Sequence, residues 1–237
     1  VIDLFHRNGP FADRLYVGTE LLLKVAEAHR RLGFSIESAR LFQSVVRDAK
    51  SEAFHEAALM GLGNSYLDQN DMRAARAVFE RYRLQFPLGR FAGQALLGIL
   101  TSFEGEGNLG GLLKLGKQWL LHNPRHPDRA LVQLKLAGAL AQAKRDTEAA
   151  PLYESVLKAG LDLSALDRLR HADVLARLNR PEPAVDQYKR ALMAGLETEQ
   201  EAWARIQIVQ LARGKKGADV AGNGVRALHE YRDPLMR

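Results

Sequence analysis

The apolar residues of this chain fall into helical stripes that are separated by short polar turns. In the clearest segment, Leu59, Leu62 and Tyr66 are three and four residues apart, which is the spacing of one face of an α-helix. The polar pair at 70–71 interrupts this stripe, and a second stripe passes through Phe79 before a proline ends it. The pattern predicts two antiparallel helices joined by a tight turn.

The same unit fits the chain six times. The predicted units begin at Thr19, Glu56, Gly93, Ala130, Ala165 and Gln200, so the first three spacings are 37 residues and the last two are 35. A helix pair cannot bury its apolar face alone, and stacking against neighbouring pairs buries it. The sequence therefore predicts an all-α solenoid of antiparallel helix pairs.

This pattern resembles the tetratricopeptide repeat. That family favours a large apolar residue at position 4 of the repeat, Leu-Gly at 7 and 8, Tyr at 11, Ala at 20, an aromatic residue at 24 and Pro at 32. The second unit matches it with Leu59, Leu62, Gly63, Tyr66, Ala75, Phe79 and Pro87. The resemblance implies a right-handed superhelical solenoid of about six repeats, in which the degenerate sixth unit, from residue 200 onward, is a C-terminal cap.

The domain boundaries follow from this frame. Residues 1–18 lie outside it, and the helix-stop sequence at 8–10 indicates an N-terminal flank or the remnant of an upstream repeat. Because no Pro/Ser/Gly-rich linker divides the rest, residues 19–237 are predicted to form one solenoid domain. The chain begins with Val1 rather than Met, which indicates an excised piece of a longer protein, so a missing signal peptide says nothing about its compartment.

The third unit is the least regular interior repeat. Leu112 stands where Ala is expected, Gly116 replaces the aromatic residue, and Trp119 fills the next small position. Gly110 and Gly111 begin its second helix, and a glycine costs about 1 kcal/mol in a helix interior. These departures predict a bend in the solenoid at this repeat.

Composition narrows the classes of function. A chain with 46% hydrophobic and 26% charged residues is globular or repetitive rather than disordered. The absence of cysteine excludes a disulfide framework, a thiolate zinc cluster and a cysteine nucleophile. The formal charge of +6 is dispersed, which indicates a solvated surface and no nucleic-acid partner. The longest apolar stretch, 95–103, is too short to span a bilayer.

One glycine motif has the spacing of a dinucleotide-binding loop. Gly105, Gly107 and Gly110 form G-x-G-x-x-G, which binds a pyrophosphate when a strand precedes it and a helix follows. Here a helical stripe that ends at Phe103 precedes it, so the motif is predicted to be the turn between two helices. An NAD-dependent enzyme is accordingly the least favoured function.

The histidines do not form a recognisable site. His122 and His126 have the spacing of a metal pair, but Pro124 prevents a helix from aligning them, so a surface loop is predicted. His29 and His171 fall at packing positions and are predicted to be buried structural residues. No nucleophile-elbow, phosphate-loop or zinc-protease motif occurs. No catalytic residue, cofactor or metal is therefore predicted.

The resemblance does imply a binding surface. In tetratricopeptide proteins, positions 2, 5, 9, 12 and 13 of the first helices line a concave groove that binds partner peptides. The groove residues implied here are Arg30, Met60, Asn64, Leu67, Leu97, Thr101, Leu134, Gly138, Ala141, Leu169, Asp173 and Arg177, with Glu20, Leu23, Glu27, Arg31, Asp68, Gln94, Glu104, Leu131, Gln142 and Leu166 beside them. The centre is apolar and the ends are charged, which favours an amphipathic helix or an extended apolar segment. The alternative is that the leucines only pack within the solenoid.

Two departures argue against one class of ligand. Chaperone-binding members of the family clamp a terminal carboxylate with Lys at position 5 of one repeat and Asn at position 6 of the next. Met60 and Gly98 replace them here, so binding of a chaperone tail is not expected.

The function predicted from the sequence is a non-catalytic scaffold that binds a peptide or helix of a partner protein. The 37-residue spacing resembles repeats of bacterial envelope proteins, which implies an envelope assembly and a periplasmic location; a cytoplasmic scaffold is the alternative. A second hypothesis is a module of a polysaccharide export or carbohydrate-handling system, whose arginines would meet an anionic polymer. The sequence leaves the partner and the oligomeric state open.

Overall fold

A computed structural model describes residues 18–48 and 51–214, and within these ranges the chain forms eleven helices and no strand. The helices are α1 Thr19–Arg31, α2 Ser35–Asp48, α3 Glu52–Asp68, α4 Met72–Gln85, α5 Ala92–Gly105, α6 Leu109–His122, α7 Arg129–Gln142, α8 Asp146–Lys158, α9 Ala165–Arg177, α10 Pro181–Met193 and α11 Thr198–Gly214. The all-α fold class predicted from the sequence is confirmed. The N-terminal flank and the second half of the predicted cap lie outside the described residues.

A left-handed backbone residue marks the turn inside each of the first five helix pairs. The five residues fall at the same position of the predicted frame: Gly33 (φ 84°), Asn70 (60°), Gly107 (68°), Lys144 (56°) and Asn179 (55°). A residue in this conformation ends a helix and turns the chain back, and glycine and asparagine adopt it at least cost. The helical repeat is therefore visible in the backbone as well as in the sequence.

The chain divides into two compact units, Val1–Asp128 and Arg129–Arg237. The single solenoid domain predicted over 19–237 stays a prediction. The boundary follows the loop 123–128, which is as long as the loop 86–91 inside the first unit. Because the two loops are alike in length and both contain proline, composition offers no sign of the division. We call the two parts unit 1 and unit 2.

In unit 1, each helix packs against the next one along the chain, and the first helices α1, α3 and α5 lie side by side. Phe79 of α4 is fully buried and contacts glycines of two helices. A Cβ added at Gly63 of α3 would lie 2.5 Å from its ring, and one added at Gly98 of α5 would also overlap it. Glycine at both positions therefore lets the aromatic ring fit between two first helices.

In unit 2, alanine replaces glycine beside the aromatic residue. Tyr153 of α8 and Tyr188 of α10 are fully buried at the position that Phe79 has in unit 1. Ala172 and Ala184, which are also fully buried, keep α9 and α10 close together. The same helix pairing is thus reached with a slightly larger residue and a polar aromatic ring.

The irregular third repeat redistributes its buried volume. Leu100 of α5 and Leu112 of α6 are buried at positions where the other repeats of both units, from the first to the fifth, have glycine, alanine or serine. Gly116 is buried where those repeats have an aromatic ring. Two leucines therefore supply the volume that one aromatic residue supplies elsewhere. The predicted bend at this repeat stays a prediction.

Candidate binding groove

Unit 1 contains a groove of about 650 Å³ on the side of its first helices. Its lining residues are Glu20, Leu23, Lys24, Glu27, Ala28, Arg30 and Arg31 of α1, Phe42 of α2, Phe54, Ala57, Met60, Gly61 and Asn64 of α3, Arg90 and Phe91 of the loop 86–91, and Gln94 of α5. The floor is apolar, and the polar side chains stand at its two ends and along its wall.

The groove brings together part of the predicted site. Arg30, Met60 and Asn64 line it. Leu67 is half-buried and packs against the core of unit 1, and Leu97 and Thr101 are half-buried on α5 outside the lining. The neighbouring predicted residues Glu20, Leu23, Glu27, Arg31 and Gln94 also line the groove, whereas Asp68 and Glu104 do not. The cavity in unit 1 therefore contains most, but not all, of the residues predicted there.

Sequence reasoning missed eight of the lining residues, which are Lys24, Ala28, Phe42, Phe54, Ala57, Gly61, Arg90 and Phe91. Phe54 lies in the first turn of α3, which begins at Glu52 rather than at Glu56, the predicted start of the repeat. Ala57 occupies position 2 of the frame but was not among the residues predicted for the groove. Phe54 lies seven residues before Gly61, and Ala57 lies seven residues before Asn64, so they extend the same helix face. Arg90 and Phe91 come from the inter-repeat loop, and the longer 37-residue spacing was the signal that could have pointed to them.

A buried tyrosine, Tyr82, holds the loop 86–91 at the edge of the groove. The Phe91 amide donates to the Tyr82 hydroxyl at 3.0 Å, and the Tyr82 ring contacts Phe86 and Phe91 with centroid distances of 5.4 and 6.4 Å. Burial raises the pKa of Tyr82, so the hydroxyl keeps its proton. The wall formed by Arg90 and Phe91 is therefore a packed part of unit 1.

Two amide side chains in the groove have unused hydrogen-bonding capacity. Asn64 is half-buried and Gln94 is exposed, and neither side chain forms a hydrogen bond with any residue in the ranges 18–48 and 51–214. Each amide offers a donor and an acceptor, the combination that matches the N–H and C=O groups of a peptide backbone. The groove thus combines an apolar floor with free groups that a peptide would satisfy.

The charged residues at one end of the groove are mutually paired. Arg30 bonds to Glu27 at 3.0 Å and to Asp68 at 3.1 Å, and Arg31 bonds to the same Glu27 at 3.0 Å. The hydrogen bond from Arg30, and to a lesser extent that from Arg31, lowers the pKa of Glu27, so this carboxylate stays ionised. This end of the groove therefore has little unbalanced charge.

The opposite end is more open. Lys24 pairs with Glu20 at 2.7 Å, and both side chains are largely exposed. Arg90 lies over the Phe91 ring at 4.5 Å and stands 3.7 Å from Glu56, while 58% of its side chain remains exposed. The guanidinium of Arg90 is thus held in place and still accessible to a ligand.

In unit 2, three of the predicted groove residues are buried: Gly138, Ala141 and Leu169. Leu134 is half-buried on α7. For Leu169 this burial agrees with the alternative that the leucines pack within the repeats.

The two charged residues predicted in unit 2 already have partners there. Asp173 accepts hydrogen bonds from the Tyr188 hydroxyl at 2.5 Å and from Trp203 Nε1 at 3.1 Å. Arg177 pairs with Asp146 at 2.7 Å and donates to the Ala141 carbonyl at 3.3 Å. Both side chains link neighbouring helices of unit 2.

The histidines at packing positions are buried, as predicted. His29 is bonded through Nδ1 to the Val25 carbonyl at 2.9 Å. His171 stacks on Tyr153 with ring centroids 4.7 Å apart, and neither its ring nitrogens nor the Tyr153 hydroxyl has a hydrogen-bond partner in the described part of the chain. Burial lowers the pKa of His171 to about 4, so the ring is neutral at pH 7.

His122 and His126 do not face a common site. His122 ends α6 and bonds to the Gln118 carbonyl at 2.8 Å, whereas His126 packs edge-on against Trp119 with centroids 4.9 Å apart. Among the described residues, no group of three or more His, Cys, Asp or Glu side chains is arranged to hold a metal ion.

The glycine motif is a turn, as predicted. Gly105 ends α5, and the Asn108 side chain caps α6 by accepting from the Gly111 amide at 2.9 Å. A helix therefore stands where a dinucleotide-binding loop would require a strand. In the residues that the structure covers, no helix is both long and apolar enough to cross a membrane.

The repeat family can now be assigned. The tetratricopeptide-repeat profile matches residues 23–95 and 118–162, and solved tetratricopeptide-repeat proteins share the fold. This chain is a tetratricopeptide-repeat protein. No curated protein matches it with significant sequence similarity.

Three solved structures illustrate the similarity in fold. The chain is 14% identical to PilF of Pseudomonas aeruginosa, with a TM-score of 0.68 and coverage of 92% of this chain and 93% of that one. It is 11% identical to a tetratricopeptide repeat protein of Parabacteroides merdae (TM-score 0.59, coverage 95% and 97%). It is 14% identical to YrrB, described as having an unusual peptide-binding site (TM-score 0.53, coverage 81% and 94%). Proteins of this family generally bind other proteins and are generally non-catalytic.

Proposed function

We propose that this protein is a non-catalytic scaffold that binds a peptide segment of a partner protein in the groove of unit 1. The observation that carries the proposal is the pair of free amides, Asn64 and Gln94, beside an apolar floor formed around Met60. Apolar contacts supply most of the affinity of such a site, and amides on its wall orient the peptide backbone.

The charges of the groove indicate which kind of segment fits. Because Glu27 neutralises much of Arg30 and Arg31, and Glu20 pairs with Lys24, the groove is not a strongly cationic surface. An apolar or amphipathic segment fits this balance better than an anionic polymer, which requires a row of unpaired cations. The balance thus favours the scaffold over a polysaccharide-handling module.

The cellular setting is a further part of the proposal. The 37-residue spacing in unit 1 resembles that of bacterial envelope proteins, and we place the scaffold in a periplasmic assembly on that ground. Fractionation of a cell that expresses the full-length protein tests this placement, and a signal confined to the cytosolic fraction would contradict it.

The binding site is tested with peptides selected from a displayed library on the purified chain. We expect the selected peptides to lose roughly tenfold in affinity with Asn64→Ala, because the amide contacts the ligand and makes no bond within the described chain. Met60→Arg should abolish binding by placing a charge in the apolar floor.

A matched control separates the groove from the rest of the first-helix surface. Leu97→Glu alters a predicted groove residue that lies outside the cavity, so it should leave peptide affinity unchanged. Circular dichroism checks that each variant keeps its helices. Equal affinity for the wild-type chain, Asn64→Ala and Met60→Arg would remove the groove as the binding site.

A further inference from the structure

Unit 1 exposes three leucines at the ends of its second helices. Leu84 at the end of α4 is 84% exposed, Leu88 in the following loop is 97% exposed, and Leu121 at the end of α6 is 77% exposed. Leu84 and Leu121 occupy the same position of successive repeats. Single exposed apolar residues are common, but leucines repeated at one position in this way form an apolar row.

The architecture of unit 1 places these leucines along one edge. In antiparallel pairs, the second helices end where the first helices begin, so α4 and α6 end at the edge where α5 starts. The loop 86–91 leads into α5, and the loop 123–128 packs against its first turn, because a Cβ added at Gly93 would overlap the Asp128 carboxylate. Both loops therefore meet at the start of α5.

Exposed cations lie near the leucines in the sequence, on α4, on α6 and in the loop 123–128. Arg81 lies one turn before Leu84 on α4, and Lys114 and Arg125 lie seven residues before and four residues after Leu121. All three cations are exposed, and none forms an ion pair or hydrogen bond within the ranges that the structure describes. The edge thus combines protruding apolar side chains with positive charge that the chain itself leaves unbalanced.

We propose that this leucine edge, formed by Leu84, Leu88, Leu121, Arg81, Lys114 and Arg125, rests on the surface of an anionic phospholipid bilayer. The leucines enter the boundary between headgroups and acyl chains, and the cations contact the lipid phosphates. A lipid surface fits better than a partner protein, because the leucines protrude at 77–97% exposure and none lines the groove of unit 1. The cations, which are unpaired within the described chain, favour an anionic surface, and the headgroups of such a bilayer provide negative charge over the whole surface.

The proposal is independent of the peptide-binding function, because none of the six residues lines the groove. A chain that fails to bind peptides can still bind membranes, and the reverse also holds. The peptide-binding assay and the vesicle-binding assay therefore test the two proposals separately.

The test is flotation of the purified 237-residue chain with large unilamellar vesicles. We expect binding to vesicles that contain phosphatidylglycerol and much weaker binding to pure phosphatidylcholine. The combined substitution Leu84→Ser, Leu88→Ser and Leu121→Ser should lower the bound fraction at least roughly tenfold, since it removes the apolar contacts. Replacing Arg81 and Arg125 by Gln should weaken binding to anionic vesicles, as should high salt.

A control pair lies at the other edge of unit 1. Leu32 and Ile36, which flank the turn between α1 and α2, are 63% and 54% exposed. Leu32→Ser with Ile36→Ser removes two exposed apolar side chains, against three in the leucine edge, and should leave vesicle binding unchanged. Because all five apolar residues are exposed, the variants should keep the thermal stability of the wild-type chain.

Three outcomes would overturn the proposal. The first is a wild-type chain that binds neither kind of vesicle, and the second is a triple-serine variant that binds as the wild type does. The third is a wild-type dimer in light scattering that the triple-serine change dissociates, because that result would assign the edge to a second copy of the chain.

Discussion

Equivalent positions of the repeat behave differently in the two units. Asn64 in unit 1 and Asp173 in unit 2 both occupy position 9, and the aromatic residues at position 24 of their repeats are Phe79 and Tyr188. The Tyr188 hydroxyl bonds to Asp173, whereas Phe79 has no polar group to offer Asn64. One oxygen atom at a buried position therefore helps decide whether the polar residue of the groove face serves packing or is free for a ligand.

A second contrast lies at position 7, where unit 1 has Leu62 and unit 2 has His171. Both side chains are buried, but the histidine carries two nitrogens without a hydrogen-bond partner in the described chain. A buried polar group without a partner costs free energy that a leucine does not. The fifth repeat, in unit 2, thus buries a polar ring, unpartnered in the described chain, where the second repeat, in unit 1, buries a leucine, and this difference can be measured.

The largest expected effect is the pH dependence that His171 gives to unit 2. Its pKa in the folded chain is about 4, below the usual 6.5, so folding favours the neutral ring. The free energy of unfolding is therefore unaffected by the protonation of this histidine above pH 6.5, and it decreases as the pH falls from 6.5 to 4. The loss amounts to roughly 3 kcal/mol.

Urea unfolding of the wild-type chain and of His171→Leu between pH 7.5 and 4 measures this effect. The difference in unfolding free energy between the two proteins should grow as the pH falls, in favour of the variant. Parallel pH profiles would show that the ring is protonated in the folded chain at little cost.

The next effect concerns the hydroxyls of the two buried tyrosines. Tyr188→Phe removes a hydrogen bond to the Asp173 carboxylate and should destabilise unit 2 by about 2 kcal/mol. Tyr153→Phe removes a hydroxyl that has no partner in the described chain, so it should be neutral or stabilising. Thermal unfolding of both variants makes the comparison, and equal losses would refute the role of the bond.

The smallest expected change in stability comes from replacing glycines in the first helices of the two units by alanine. Gly63→Ala in unit 1 brings a Cβ within 2.5 Å of the Phe79 ring and should cost about 1 kcal/mol net of the helix preference for alanine. Gly138→Ala in unit 2 places its Cβ 3.6 Å from Arg170, an ordinary contact, and should stabilise by up to about 1 kcal/mol. Chemical denaturation measures whether each substitution raises or lowers the free energy of unfolding. A stabilising Gly63→Ala would show that the Phe79 ring can move aside.

The groove shows how far a repeat frame predicts a site. The frame placed Arg30, Met60 and Asn64 on the groove face, and the cavity contains all three. It excluded Phe54 because α3 starts before the predicted repeat, and it excluded Arg90 because an inter-repeat loop has no assigned role in the helical pattern. Helix ends and loop paths depend on tertiary contacts such as the Tyr82–Phe91 hydrogen bond, which sequence spacing does not show.

The sequence by itself determined the helices, their pairing and the family, because apolar spacing and turn residues act over a few neighbouring positions. The left-handed turn position illustrates this, since four of its five residues in the first five repeats are glycine or asparagine, which adopt that conformation at least cost. Only the tertiary structure decided which groove residues are open, because that depends on residues 15 to 31 positions away, as with Asp173 bound by Tyr188 and Arg177 bound by Asp146. Burial and pairing arise from the packing of the helices, and the position of a residue in the repeat does not determine them.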